Sequence, residues 1–368
     1  LKAERDSLSD QHRFLLARYP YIQKATPHSV LIAWRTDRPT DSLVEYGPTP
    51  NYGLRAYDPK KATDHALTIE GLEPDTAYYY RVLGDGQVLT QGDKFHTNKD
   101  ERNPFFTFLV FGDSGSGKAE QYDVARRIEL LNPDLGIVTG DVIYENGEAA
   151  NFDPYYFDVY KNTISRIAFY PSLGNHDIRT ENGEPYIRAF YLPGNERYYS
   201  FDYANAHFVA LDSNVSASPE SDQYRWLKRD LEKTDKFWKF VYFHHPPYSS
   251  WDLFGGRVDI REAFSPLFER YGVDIVFSGH DHNYERSHPI RDYYPEGKGV
   301  VYIITGGGGK SLDVIWRRSA WTSYIEASYH VTYVEIKDRV LELKAIRPDG
   351  TVMDALTIDR SNGEFTAN

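Results

Sequence analysis

A chain of 368 residues exceeds what one hydrophobic core commonly organises and predicts two domains, one small and one large. Its formal net charge of -12 lacks the basic field of a general nucleic-acid binder, so no nucleic-acid partner is expected, and no run approaches the roughly 18 apolar residues of a membrane span. The absence of cysteine excludes disulfides, thiolate zinc sites and cysteine nucleophiles together, leaving oxygen and imidazole as metal donors. Leu1 in place of a methionine reads as a processed or trimmed start.

Residues 1–20 are charged and lack a strand period, and read as an N-terminal arm. From residue 21 the pattern changes to short alternating runs at 29–35, 42–46 and 66–69, with Gly, Pro, Asn and Asp between them, which predicts a small all-β sandwich over 21–98. Residues 72–82, LEPDTAYYYRV, resemble the turn and strand of a fibronectin type III domain, in which a tyrosine closes the corner between two sheets and Trp34 would be the buried tryptophan. Such a module binds or spaces, and its fold says little about chemistry. The polar stretch 98–104, ending in proline, reads as a linker.

Beyond the linker the order is strand 105–111, helix 120–131, strand 135–139, the βαβ arrangement of a layered α/β domain. A helical segment at 153–164 precedes a strand at 167–173, then a hairpin at 198–202 and 207–211, a helix at 222–233 and a strand at 237–243. A helix at 259–270 leads to the apolar run 273–277, and strands at 300–305 and between 328 and 358 complete an expected two-sheet core. The only low-complexity stretch is Gly306 to Gly309.

Five of these strands end in a motif bearing oxygen or imidazole donors: Asp113; Asp141 with Tyr144; Asn175 with His176; His244 with His245; His280 with His282. Irregular separations exclude a local finger or loop site, so the fold must gather them, and loops beyond the carboxyl ends of strands are where α/β proteins place their sites. Each motif has a plainer reading as a turn or helix cap. Gly112 to Gly117 has the spacing of neither Walker A nor the dinucleotide fingerprint, which argues against a phosphate loop.

Together GDSG at 112, GDVIY at 140, GNHD at 174, YFHHPPY at 242 and GHDH at 279 resemble the metallophosphoesterase superfamily, and within it the purple acid phosphatases. The resemblance implies a four-layer α/β/β/α domain over 104–360 behind the sandwich, an α+β whole. It implies that Asp113, Tyr144 and His282 hold one metal, Asn175, His244 and His280 a second, and that Asp141 bridges them. A phenolate with carboxylates and one imidazole suits Fe(III), and an amide with two imidazoles suits a divalent Fe, Zn or Mn. The implied reaction is attack of a metal-held hydroxide on a small-molecule phosphomonoester, with His176 contacting phosphate or protonating the leaving group, or else orienting a ligand. His244 is favoured over His245 as the ligand, since neighbours on a strand point opposite ways. His245, Tyr248, Trp251 and Arg257 remain candidates for substrate contact. A phosphodiesterase on the same core, or a binding module with a vestigial site, are the alternatives. The setting implied is secreted or periplasmic.

Overall fold

The computed structural model describes residues 15–251, 255–361, 366 and 367, so residues 1–14 of the expected arm lie outside the described residues. Two compact units divide the chain: one runs to Asn98 and takes in Tyr160–Ala168, and the other comprises Lys99–Val159 with the residues from Phe169 onward.

The first unit is all-β, with β1 (Leu16–Gln23), β2 (Ser29–Gly47), β3 (Leu54–Glu70), β4 (Ala77–Gly84), β5 (Gln87–Val88) and β6 (Asp93–His96). β1 therefore begins inside the stretch read as an arm. Early residues of β2 pair with β1, its end from Leu43 to Gly47 pairs with β4, and β3 runs antiparallel along both parts. Register shifts around Thr40 bend the strand, so the two runs read at 29–35 and 42–46 are one element. Most of β3 was not legible because its residues 54–64 mix polar and apolar side chains without alternation and lie largely at the surface. Inside, Ile32, Trp34, Val44, Tyr80 and Val82 are buried, and Trp34 stacks on His65 with ring centres 4.8 Å apart. Tyr78 Oη accepts from the backbone N–H of Glu73 at 3.0 Å, which closes the expected tyrosine corner.

The second unit is built on two seven-stranded sheets. The first contains β7 (Phe105–Phe111), β8 (Leu135–Val138) and β9 (Phe169–Pro171) in parallel, extended antiparallel from β7 by β19 (Val331–Lys337), β20 (Val340–Ile346), β21 (Val352–Asp359) and β22 (Thr366–Ala367). The second runs β10 (Tyr199–Tyr203), β11 (Ala206–Ala210), β12 (Trp238–Tyr242), β13 (Ile275–Ser278), β17 (Val301–Thr305), β14 (Tyr284–Ser287) and β18 (Thr322–Glu326), with β11, β12, β13 and β17 parallel. β15 (Ile290–Arg291) and β16 (Tyr294–Pro295) form a separate hairpin. Strands buried on both faces read as continuous apolar runs, and β7, FFTFLVF, is one. Its Phe108 meets Phe208, Phe240 and Phe277 of the facing sheet at 5.0–6.2 Å.

Helices cover the outer faces. On the first sheet α1 (Ala119–Leu131) lies against β19, burying Val124, Ala125 and Ile128. On the second, α2 (Asp222–Lys233) and α3 (Val258–Tyr271) place Leu227, Leu231, Phe264 and Phe268 against Val209, Val241 and Val276. This is the four-layer α/β/β/α order. Among the described residues no helix is long and apolar enough to cross a membrane.

Candidate metal centre

Each donor follows the carboxyl end of a strand. Asp113, Asp141 and His280 have φ of 60°, 46° and 71°, in the left-handed region where Asp, Asn and His are the enriched non-glycine residues. That backbone turns each side chain back toward one point. At Gly174 a Cβ would lie 2.1 Å from the amide nitrogen and from Oδ1 of Asp141, so only glycine lets the two loops meet.

The donors gather in two groups. In one, Tyr144 Oη donates to Asp113 Oδ1 at 2.9 Å and stands 3.1 Å from His282 Nε2, itself 3.5 Å from Asp113 Oδ1. In the other, Asn175 Oδ1 is 2.9 Å from His244 Nε2 and 3.0 Å from His280 Nδ1, with those nitrogens 3.2 Å apart. Asp141 adjoins the second group, its Oδ1 3.4 Å from His244 Nε2 and accepting from the His176 N–H at 2.8 Å. Donors of Asp113, Asp141 and His244 all lie within 4.8 Å of one another, as do those of His244, His245 and His280. A carbonyl can only accept. His244 Nδ1 therefore donates to Thr139 O at 2.9 Å and His282 Nδ1 to Ser311 O at 2.8 Å, which leaves both Nε2 atoms facing the centre.

The electrostatics fit a cation. Burial, then the charge of His244, pulls His280 down to about 4, and the same two influences pull His245 to about 2, so both are neutral imidazoles. Burial also works against charge on His244 and His282, but Asp141 lifts the first to about 10 and Asp113 the second to about 9. Burial, followed by Asp113 and Asp141, pushes the Tyr144 hydroxyl well above its usual range. Protons thus occupy positions between inward-facing carboxylates, imidazoles and a phenol, and metal ions would replace them with the same sign of charge.

His176 lies at the rim with its ring 4.5 Å from that of Tyr144, its Nδ1 on Glu145 O and its Nε2 3.3 Å from an Arg179 nitrogen. His245 packs its ring 4.6 Å from that of His280, with Nδ1 2.8 Å from Ser213 Oγ. Arg257 reaches Ser213 O at 3.5 Å but pairs mainly with Asp259, and Trp251 is 40% exposed. Tyr248 is not brought to the cluster. The turn through Pro246 and Pro247 sends it into the core against Tyr302 and Trp321, 3% exposed. Supporting groups that the sequence reading did not assign are Asp177, which binds the Asp141 and Asn175 loops, Asp281 bonded to Ser249, Glu285 bonded to Ser250, and Lys310 beside Tyr144. Of these, Asp177 and Asp281 stand within the GNHD and GHDH motifs, and Lys310 directly follows a glycine run.

Fold and cluster define a class: a two-sheet α/β protein with a double set of metal-type donors at its strand ends. The calcineurin-like phosphoesterase family matches residues 106–284, and the purple acid phosphatase N-terminal domain matches 20–98. Purple acid phosphatase 15 of Arabidopsis thaliana is 32% identical over 67% of this chain and 53% of its own length. Fe(3+)-Zn(2+) purple acid phosphatase 12 of the same plant is 27% identical over 75% of this chain and 66% of its own. A purple acid phosphatase from yellow lupin (Lupinus luteus) seeds shares the fold, with a TM-score of 0.85 over 93% of this chain and 74% of that one at 21% identity. The chain thus spans about half the length of the first of these relatives. It belongs to the calcineurin-like phosphoesterases, as a purple acid phosphatase-like member with the N-terminal domain of that group.

Proposed function

We propose that this protein is a dinuclear-metal phosphatase that hydrolyses phosphomonoesters of small molecules. The carrying observation is the split of donors into Asp113, Tyr144 and His282 on one side and Asn175, His244 and His280 on the other, with Asp141 beside them. The phenol favours Fe(III) in the first group, and the amide with two imidazoles favours a divalent Fe, Zn or Mn in the second. A relative named for iron and zinc supports that division. Bound there, two metal ions supply positive charge for phosphoryl oxygens and acidify a water molecule.

The chain's own groups do the rest. Glu145 O accepts from His176 Nδ1, while Nε2, 3.9 Å from Asp141 Oδ2, accepts from an Arg179 nitrogen at 3.3 Å; turning Arg179 aside would open Nε2 to hold a proton for a phosphoryl oxygen or the leaving alkoxide. His245, neutral and fixed by Ser213, lines the imidazole side and is a second candidate for substrate contact, with Arg257 behind it. Trp251 is exposed to solvent and is kept as a contact for the organic part of the ester. A secreted or periplasmic setting is part of the same reading.

Metal analysis and a visible spectrum of the isolated protein test it, beside a Tyr144→Phe variant. Iron with a second metal, and a tyrosinate band abolished by the substitution, are expected. Faster hydrolysis of 4-nitrophenyl phosphate than of bis(4-nitrophenyl) phosphate is expected too; the reverse order would make the protein a phosphodiesterase.

A further inference from the structure

The glycine run 306–309 and the lysine that ends it have no part in the reading above. The run lies against the loop that carries Asp113: Gly308 N–H donates to Gly112 O at 3.0 Å, Lys310 N–H to Asp113 O at 2.9 Å, and Ser116 Oγ to Gly309 O at 2.9 Å. At Gly308 a Cβ would lie 2.2 Å from Gly112 O, so any side chain there would force the segment away. Close approach fixes where Lys310 points. Its Nζ stands 4.1 Å from the centre of the Tyr144 ring and pairs with Glu145, the next residue along.

Its surroundings are uneven. Only 18% of the Lys310 side chain is exposed, against 63% for Glu145. An exposed lysine-carboxylate pair contributes little to stability and gives no reason to shelter the lysine on a ring. A cation over an aromatic face interacts more strongly once it is withdrawn from water, and the attraction grows if the ring carries negative charge. The ring beneath Lys310 is the one whose oxygen meets Asp113 and His282.

We propose that Lys310 tunes Tyr144 as a ligand. Its ammonium stabilises negative charge on the phenolate ring and thereby weakens that ring's electron donation to iron, and Glu145 sets the strength by neutralising part of the ammonium's charge. A weaker phenolate donor leaves the ferric ion a stronger Lewis acid toward substrate. The inference rests on the reading of Tyr144 as a ligand of ferric iron. Lys310 acts through Tyr144, so it is a positioning and tuning residue rather than a catalytic one.

The visible spectrum of the metal-loaded protein tests this independently of activity. Excitation of a tyrosinate-to-iron band moves an electron off the ring and so away from Lys310, which the cation opposes. Lys310→Met should therefore move the band to longer wavelength, by on the order of 10 nm for one charge about 4 Å from the ring at an effective dielectric constant near 20. Glu145→Gln, which leaves the ammonium uncompensated, should move it to shorter wavelength, and Lys310→Arg should leave it near its original position. Opposite signs at equal metal content are a result that lost packing cannot produce. A band unmoved by either substitution, or moved the same way by both, overturns the tuning role while leaving the ligand assignment intact. Iron without any such band, or a band indifferent to Tyr144→Phe, overturns the ligand assignment and the tuning role together. Glu145→Gln retains the lysine, so it still decides the matter if Lys310→Met fails to load metal.

Discussion

Asp177 holds the cluster together without being one of its donors. Its Oδ2 accepts from Gly174 N–H at 2.8 Å and Val142 N–H at 3.1 Å, and its Oδ1 from Ile143 N–H at 3.0 Å. One buried carboxylate therefore ties the loop of Asn175 to the loop of Asp141 and Tyr144. Asp177→Asn offers a single acceptor oxygen and turns an NH2 group toward N–H donors, so at least one buried N–H loses its partner. The expected cost is about 1–3 kcal/mol. Thermal unfolding and metal content after dialysis check it; an unchanged melting temperature with full metal retention would refute the bracing role. The donors themselves were legible because each follows an apolar run and has a chemically distinctive side chain. Asp177 stood in plain view within GNHD, yet its partners are backbone N–H groups, which leave no mark in a sequence. At Tyr248 the two prolines before it turn the chain after His245, so no strand period was present to show its direction.

Elements with a clear period were legible, and the unit formed by β10, β11 and α2 is one of them. Asp202 of β10 lies opposite His207 of β11, and Asp230 of α2 reaches the same ring from the other side. His207 Nδ1 is 2.7 Å from Asp202 Oδ1, and Nε2 is 2.9 Å from Asp230 Oδ2. Burial opposes charge on this imidazole, but the two aspartates outweigh it and raise His207 from 6.5 to about 9. A raised folded-state value means the contribution to stability is complete below pH 6.5 and is lost as pH climbs through 9. A tenfold change in proton affinity corresponds to roughly 1.4 kcal/mol, so the contribution is about 3 kcal/mol. Melting curves of the protein and a His207→Gln variant should therefore lie far apart at pH 6 and converge by pH 10, and a gap independent of pH would show that the ring acts by packing alone. By contrast β3 and the segment 306–321 carry little period, because one is largely exposed and the other is held by backbone contacts to the Asp113 and His282 loops.

Across the second unit, the donors divide by sheet. Strand ends of β7, β8 and β9 supply Asp113, Asp141 with Tyr144, and Asn175, all oxygen donors; those of β12 and β13 supply His244, His280 and His282, all imidazoles. Each donor group takes members from both sheets, so a metal ion in either one would clamp the first sheet to the second at their shared edge. Away from that edge the sheets are held by Phe108 against Phe208, Phe240 and Phe277, which needs no metal. Depletion should therefore loosen the edge without unfolding the core. Metal present at about 1,000 times its dissociation constant stabilises the folded state by about 4 kcal/mol. For a domain of about 150–250 residues that corresponds to a fall in melting temperature on the order of 10 °C when the metal is removed. Hydrogen exchange of the depleted protein should speed up at Asp113, Asp141 and His280 while β7 stays protected at Phe108, and iron with zinc should restore both the protection and the melting temperature. Equal melting temperatures with metal analysis confirming depletion would mean that the donor groups are held by protein contacts alone, and that the two sheets do not depend on the ions for their register.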